Sequence, residues 1–227
     1  MEIIESFTPV YVLMIPTVAI PFIAMSNKRP NLREFWTILA SVSMFSTVAS
    51  MLPQVLDGKI LEYRLLTLFK GLDITFRVDP FGIFFATTAS FLWIIVSFYS
   101  IGYMRALKEH AQTRYYICFA IALLAASGVA FSANLITILV FYEILTLSTY
   151  PLVIHHEDDE AIKGARRYVA YLLGTSIAFN LPAIFLTYVF AQTLDFSNGG
   201  ILSGTASPMM ITVIFFLFVA GIGKAAM

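Results

Sequence analysis

Charge is what this sequence has least of. Only 12% of its 227 residues are Asp, Glu, Lys or Arg, whereas 59% are hydrophobic and the mean hydropathy is +0.84. Soluble domains carry about twice that charged fraction. The single cysteine, Cys118, excludes an internal disulfide or a cysteine-built metal centre and reads as a small buried hydrophobe. There is no GxGxxG, no P-loop and no haem or iron–sulfur cysteine set, so no cofactor is expected. The chain begins Met1-Glu2-Ile3-Ile4-Glu5, acidic where a cleavable signal would be basic, so no signal peptide is expected.

What the chain does have is long apolar runs. They cover roughly residues 7–25, 35–55, 79–103, 115–132, 135–153, 165–192 and 209–227. At about 1.5 Å per residue each is long enough to cross the hydrocarbon core of a bilayer. They are apolar on both parities, which excludes membrane-spanning β-strands, whose residues alternate. The expectation is an all-α integral membrane protein of about seven transmembrane helices.

Basic residues predict its orientation. Lys28, Arg29 and Arg33 follow the first helix, Arg105, Lys108 and Arg114 the third, and Lys163, Arg166 and Arg167 the fifth. Lys59, Arg64, Lys70 and Arg77 follow the second, interleaved with Asp57, Glu62, Asp73 and Asp79. Nine positives against four place the N-terminus outside by the positive-inside rule. Residues 57–78 read as an ordered outer segment, in which LDITFRVD alternates like a short strand.

The informative residues are those that a bilayer makes expensive. No charged residue lies between Arg114 and Glu143, and the next one is Glu157. Glu143 falls near mid-membrane in LVFYEILTLSTYP, where an ionised acid costs at least ~2.5–3.5 kcal/mol. An intramembrane acid is by default functional, the other reading being a structural acid bonded at a helix interface. Thr146 and Tyr150 share its helical face and are candidates for lining a pathway. In the sixth helix Ser176, Asn180 and Thr187 share a face beside Pro182; Ser176 and Asn180 are further lining candidates.

Lys224, in FVAGIGKAAM, is the one base deep in an apolar run. It either acts inside the membrane or snorkels to the inner surface. By helix counting it lies ~22 Å along its helix and Glu143 ~13 Å along the fifth, so the two share a depth only if the last helix starts above the membrane or breaks at Gly221 and Gly223. The loop HHEDDE offers His155 and His156 as a place of proton entry, or Asp158 or Asp159 as a helix cap. It has no recognised metal-ligand spacing, and no metal is expected.

These stretches together resemble the antiporter-like proton-translocating subunits found in respiratory complex I, Mrp-type Na+/H+ antiporters and membrane-bound hydrogenases. The resemblance is carried by VDPFGIFFATTASFLWIIVSFYSIGYM, by NLITILVFYEILTLSTYPLVIHHEDDEAIKGARRYVAYLLGTS, by TLDFSNGGIL and by FVAGIGKAAM, about two-thirds of the chain. It implies that Glu143 and Lys224 form an ion pair in the first of two inverted five-helix repeats, with the last helix broken near the lysine. It divides the chain into residues 1–78, two helices and the outer loop, and 79–227, most of the first repeat. The family's second repeat does not follow Met227: either a separate chain supplies it, the sequence is a piece of a longer one, or the subunit is naturally half-sized. The expected partners are other membrane subunits, including a chain supplying the missing C-terminal half, and no nucleic acid.

The function implied is that of a proton-translocating, ion-conducting subunit of a multisubunit respiratory complex or cation/proton antiporter, without a catalytic site of its own. The competing reading is a structural anchor with a non-transporting buried ion pair. The expected location is the plasma membrane of a prokaryote, an organelle membrane being the other compartment that suits such a complex.

Overall fold

A computed structural model describes residues 2–222 apart from 70 and 198, and every side chain among them save that of Leu68. Contacts divide the chain into two compact units: residues 1–63 with 76–132, and residues 64–75 with 133–227.

The first unit contains α1 (Thr8–Met25), α2 (Pro30–Leu56), α3 (Pro80–Ala106) and α4 (Gln112–Ala130). All four are long and apolar enough to cross a membrane. Proline stands at the start of α1, α2 and α3, where its fixed φ suits a first turn and its missing N–H is not needed. Asp79 caps α3 by accepting from the Gly82 N–H at 2.6 Å. Gly82 is required by packing: a Cβ there would meet the Ala130 carbonyl oxygen at 2.5 Å.

The acidic N-terminus is itself a strand, β1 (Glu2–Glu5), running parallel to β2 (Lys59–Phe69) in the register Glu2↔Lys59 to Glu5↔Glu62. β3 (Leu72–Val78) completes a three-stranded sheet in the order β1-β2-β3. The alternating segment expected between the second and third helices is therefore a strand. Its interleaved charges pair across the hairpin, Arg77 with Glu62 at 2.6 Å and Arg64 with Asp73 at 3.3 Å.

At the opposite end of the first unit, α2 begins five residues earlier than its apolar run and carries Arg33 and Glu34 into the interior, 4% and 5% exposed. Arg105 clasps the Glu34 carboxylate with two hydrogen bonds, and Arg33 donates to Gln112 Oε1 at 2.6 Å and Thr113 Oγ1 at 3.2 Å. A buried acid between two guanidiniums, with its donors supplied, meets the condition under which interior charge is tolerated.

The second unit contains α5 (Leu135–Val153), α6 (Asp159–Thr175), a π-helical turn (Ser176–Asn180), α7 (Leu181–Ala191) and α8 (Pro208–Gly221). α5 is long enough to span. So is the run Asp159–Ala191, which includes the π turn, bringing the candidate spans among the described residues to six. Asp158 caps α6, accepting from the Ala161 N–H at 2.6 Å. α8 has 14 residues, fewer than a span requires. The unit exposes Leu147, Ile177, Phe185, Phe215 and Phe216. In water such surface would drive aggregation, whereas lipid solvates it.

Candidate functional site

The depth of Glu143 is set by how α5 begins. Asn134 caps that helix, its Oδ1 accepting from the Thr137 N–H at 2.9 Å and from Thr137 Oγ1 at 2.7 Å. Its Nδ2 donates to the Asp73 carbonyl at 2.8 Å, and the Ala133 N–H donates to the Thr75 carbonyl at 3.0 Å. Leu135 N–H and Phe196 N–H close the other side through Leu194 and Ala133 carbonyls. The start of α5 is thus tied to β3 and to the 194–196 segment, and Glu143 stands ~13 Å further along the helix.

There the carboxylate meets the long sixth span at its irregularity. Ser176 Oγ, completely buried, donates to Glu143 Oε1. Ser176 opens the π turn and Asn180 closes it. The turn has a local cause. Pro182 has no N–H for the Ala178 carbonyl and its ring crowds that oxygen, and an extra residue in the turn relieves both. Asn180, 8% exposed, donates from Nδ2 to the Gly221 carbonyl at 2.9 Å, at the last residue of α8. Two buried acceptors, Glu143 Oε2 and Asn180 Oδ1, have no hydrogen-bond partner among the described residues.

The other site residues read from the sequence fall at different distances from this centre. Thr146 is buried on the same helix, but its hydroxyl bonds the Tyr142 carbonyl. Thr187 is likewise turned to its own helix, at Ala183. Tyr150 is half-buried two turns beyond Glu143. His155 and His156 lie past the end of α5, half-buried and exposed, with ring centroids 5.9 Å apart. Lys224 lies outside the described residues; what is described is that α8 ends at Gly221, before it. Sequence reasoning missed the Arg33–Glu34–Arg105 group, which it counted as loop charge. The signal was the acid beside Arg33, just where an apolar run starts.

Long apolar helices, one of them wound irregularly where it meets a deep carboxylate, define a polytopic membrane protein. Family models narrow the class. Residues 70–116 match the model described as NADH-ubiquinone oxidoreductase (complex I), chain 5 N-terminus, and residues 132–227 match NADH:quinone oxidoreductase/Mrp antiporter, TM. The chain belongs to this complex I/Mrp antiporter family of membrane subunits.

Among curated relatives, a probable K(+)/H(+) antiporter protein of Rhizobium meliloti is 29% identical over 62% of this chain and 14% of its own length. Hydrogenase-4 component B of Escherichia coli is 28% identical over 76% of this chain and 25% of its own. The fold matches a chain of the membrane-bound sulfane sulfur reductase, an archaeal respiratory membrane complex, with a TM-score of 0.79 at 18% identity, covering 95% of this chain and 44% of that one. It also matches a chain of the Mrp complex from Dietzia, with a TM-score of 0.72 at 17% identity, covering 94% and 40%. The chain therefore spans less than half the length of these relatives.

Proposed function

We propose that this chain is the ion-conducting part of a membrane subunit in a complex I-like or Mrp-type assembly, and that Glu143 and Lys224 form its electrostatic relay. The observation that carries the reading is the Glu143 carboxylate. It is held at depth by a capped helix and bonded on one oxygen by Ser176, and its other oxygen meets no protein donor among the described residues. A purely structural acid would gain most from having both oxygens bonded, since each bond to a charged group contributes about 1.5–3 kcal/mol. One open oxygen suits a group that exchanges a proton or a neighbouring cation.

In the relay, an ionised Glu143 keeps the Lys224 ammonium protonated. When that charge is neutralised or drawn away, the low polarity of the membrane interior disfavours an unpaired ammonium and its proton moves on. Ser176, Asn180, Thr146 and Tyr150 supply polar surface along the way, and the His155–His156 loop is the entry. The energy comes from a partner's redox reaction or from an opposing ion gradient, and other membrane subunits complete the path. The resemblance supports the role of Lys224, and the end of α8 at Gly221 accords with a helix broken before it.

The test is ion translocation by the intact complex in native membranes. Glu143→Gln and Lys224→Ala are each expected to lower it by roughly a hundredfold, the smaller end of what a positioned proton-transfer group contributes. Full translocation in both variants would remove the relay. Loss of the complex on native gels, with normal transport by whatever assembles, would favour the structural anchor instead.

A further inference from the structure

The π turn does more than relieve Pro182. Its first residue holds the Glu143 carboxylate and its last holds the end of α8. We infer that Asn180 is a positioning residue which couples Glu143 to the C-terminal end of α8 through the π turn. The inference builds on the reading of Glu143 as the translocation carboxylate, and it is measured without transport.

Three observations carry it. Asn180 Nδ2 caps α8, because Gly221 O is one of the terminal carbonyls that a helix cannot satisfy internally. The fit is close: a Cβ at Gly221 would collide with the Asn180 amide and backbone nitrogen, so glycine is what lets the π turn and α8 meet. Asn180 Oδ1 is buried without a partner among the described residues, so the side chain is secured through the Gly221 bond.

The link operates through one hydroxyl proton. Ser176 Oγ has a single O–H, which now goes to Glu143 Oε1. When the carboxyl is protonated it becomes a donor itself, and the Ser176 hydroxyl is free to turn to a carbonyl of its own helix. Serines elsewhere in the chain do this: Ser90 bonds the Ala86 carbonyl and Ser148 the Leu145 carbonyl. The π turn is then anchored at its first residue by at most a neutral hydrogen bond, weaker than the charge-assisted one it replaces. π turns are short departures from the α ladder that recur at functional sites. Relaxing this one withdraws Asn180 from Gly221 and releases the last turn of α8, the turn that precedes Lys224.

Amide hydrogen exchange of residues 218–222 in the detergent-solubilised complex tests this. Ser176→Ala and Glu143→Leu remove the same bond from its two sides. Each is expected to speed exchange there about tenfold, as local opening becomes easier. Introduced on an Asn180→Leu background, where exchange is already fast, neither should add anything, and that non-additivity separates coupling from independent packing losses. Gly221→Ala provides a second uncoupled background should Asn180→Leu fail to assemble. Unchanged exchange in Ser176→Ala overturns the inference by itself. Equal acceleration on both backgrounds also overturns it. Normal translocation by both Glu143→Gln and Lys224→Ala would instead bring down the proposed function and leave the exchange result to stand separately.

Discussion

A carboxylate in the middle of an apolar span needs only one fixed neighbour to be held in place, and here the neighbour is a serine. Ser176→Ala removes that donor, a bond to charge of about 1.5–3 kcal/mol, and is expected to lower translocation roughly tenfold where Ser176→Thr retains most of it. Flux measurements in native membranes compare the two. The buried acid of the first unit gives the opposite case, in which both carboxylate oxygens are bonded. Glu34→Ala leaves Arg33 and Arg105 together without their counter-charge and should destabilise the protein by about 3–5 kcal/mol, less to the extent that half-exposed Arg105 turns to solvent. Thermal unfolding in detergent reads that loss. Glu143 stood out in the sequence because charge in a bilayer is costly. Ser176 and Asn180 stood out less, because serine and asparagine also serve ordinary helix packing. That Ser176 bonds Glu143 was not legible, since the two are on different helices 33 positions apart.

Each helix shows how local chemistry places these groups. Asp158 satisfies the start of α6 as the acidic loop suggested, and Asp158→Ala should cost ~1 kcal/mol, seen as faster exchange confined to the first turn of α6. Its effect on Glu143 should be nil, because that residue's depth is set from α5. Gly82→Ala tests close packing in the first unit. A methyl group 2.5 Å from the Ala130 oxygen must separate α3 from α4, and ~1–3 kcal/mol of stability should be lost on thermal unfolding. The apolar runs located the long helices to within a few residues, because twenty apolar positions in succession have few other uses. They missed β1, since four residues carry too little pattern to read as a strand. They also missed the π turn, although Pro182 marked its neighbourhood: whether a proline kinks, ends or widens a helix depends on what packs beside it.

Taken whole, the molecule is a helical membrane chain whose basic residues are spread unevenly among its loops. Pairing with acids removes Arg33 and Arg105 from the loops after the first and third helices, and Arg64 and Arg77 from the loop after the second, so the bias towards the loops after the first, third and fifth helices remains. Single cysteines substituted for Lys163 and for Asp57 should label from the inner and outer faces respectively; the reverse pattern would invert the topology. The sequence by itself determined the class: composition and apolar length demanded helices in lipid, and one acid without neighbours demanded an explanation. It also carried the family resemblance that the matching models bear out. Tertiary structure alone decided what the acid touches. A carboxylate's partner is fixed by which helix lies across from it and by where that helix departs from regular winding. Both depend on contacts between distant residues, a capped start at Asn134, a widened turn at Ser176–Asn180 and a glycine at position 221 that admits the asparagine. No local pattern encodes those contacts, because the energy that selects them comes from burying and pairing groups that the chain separates.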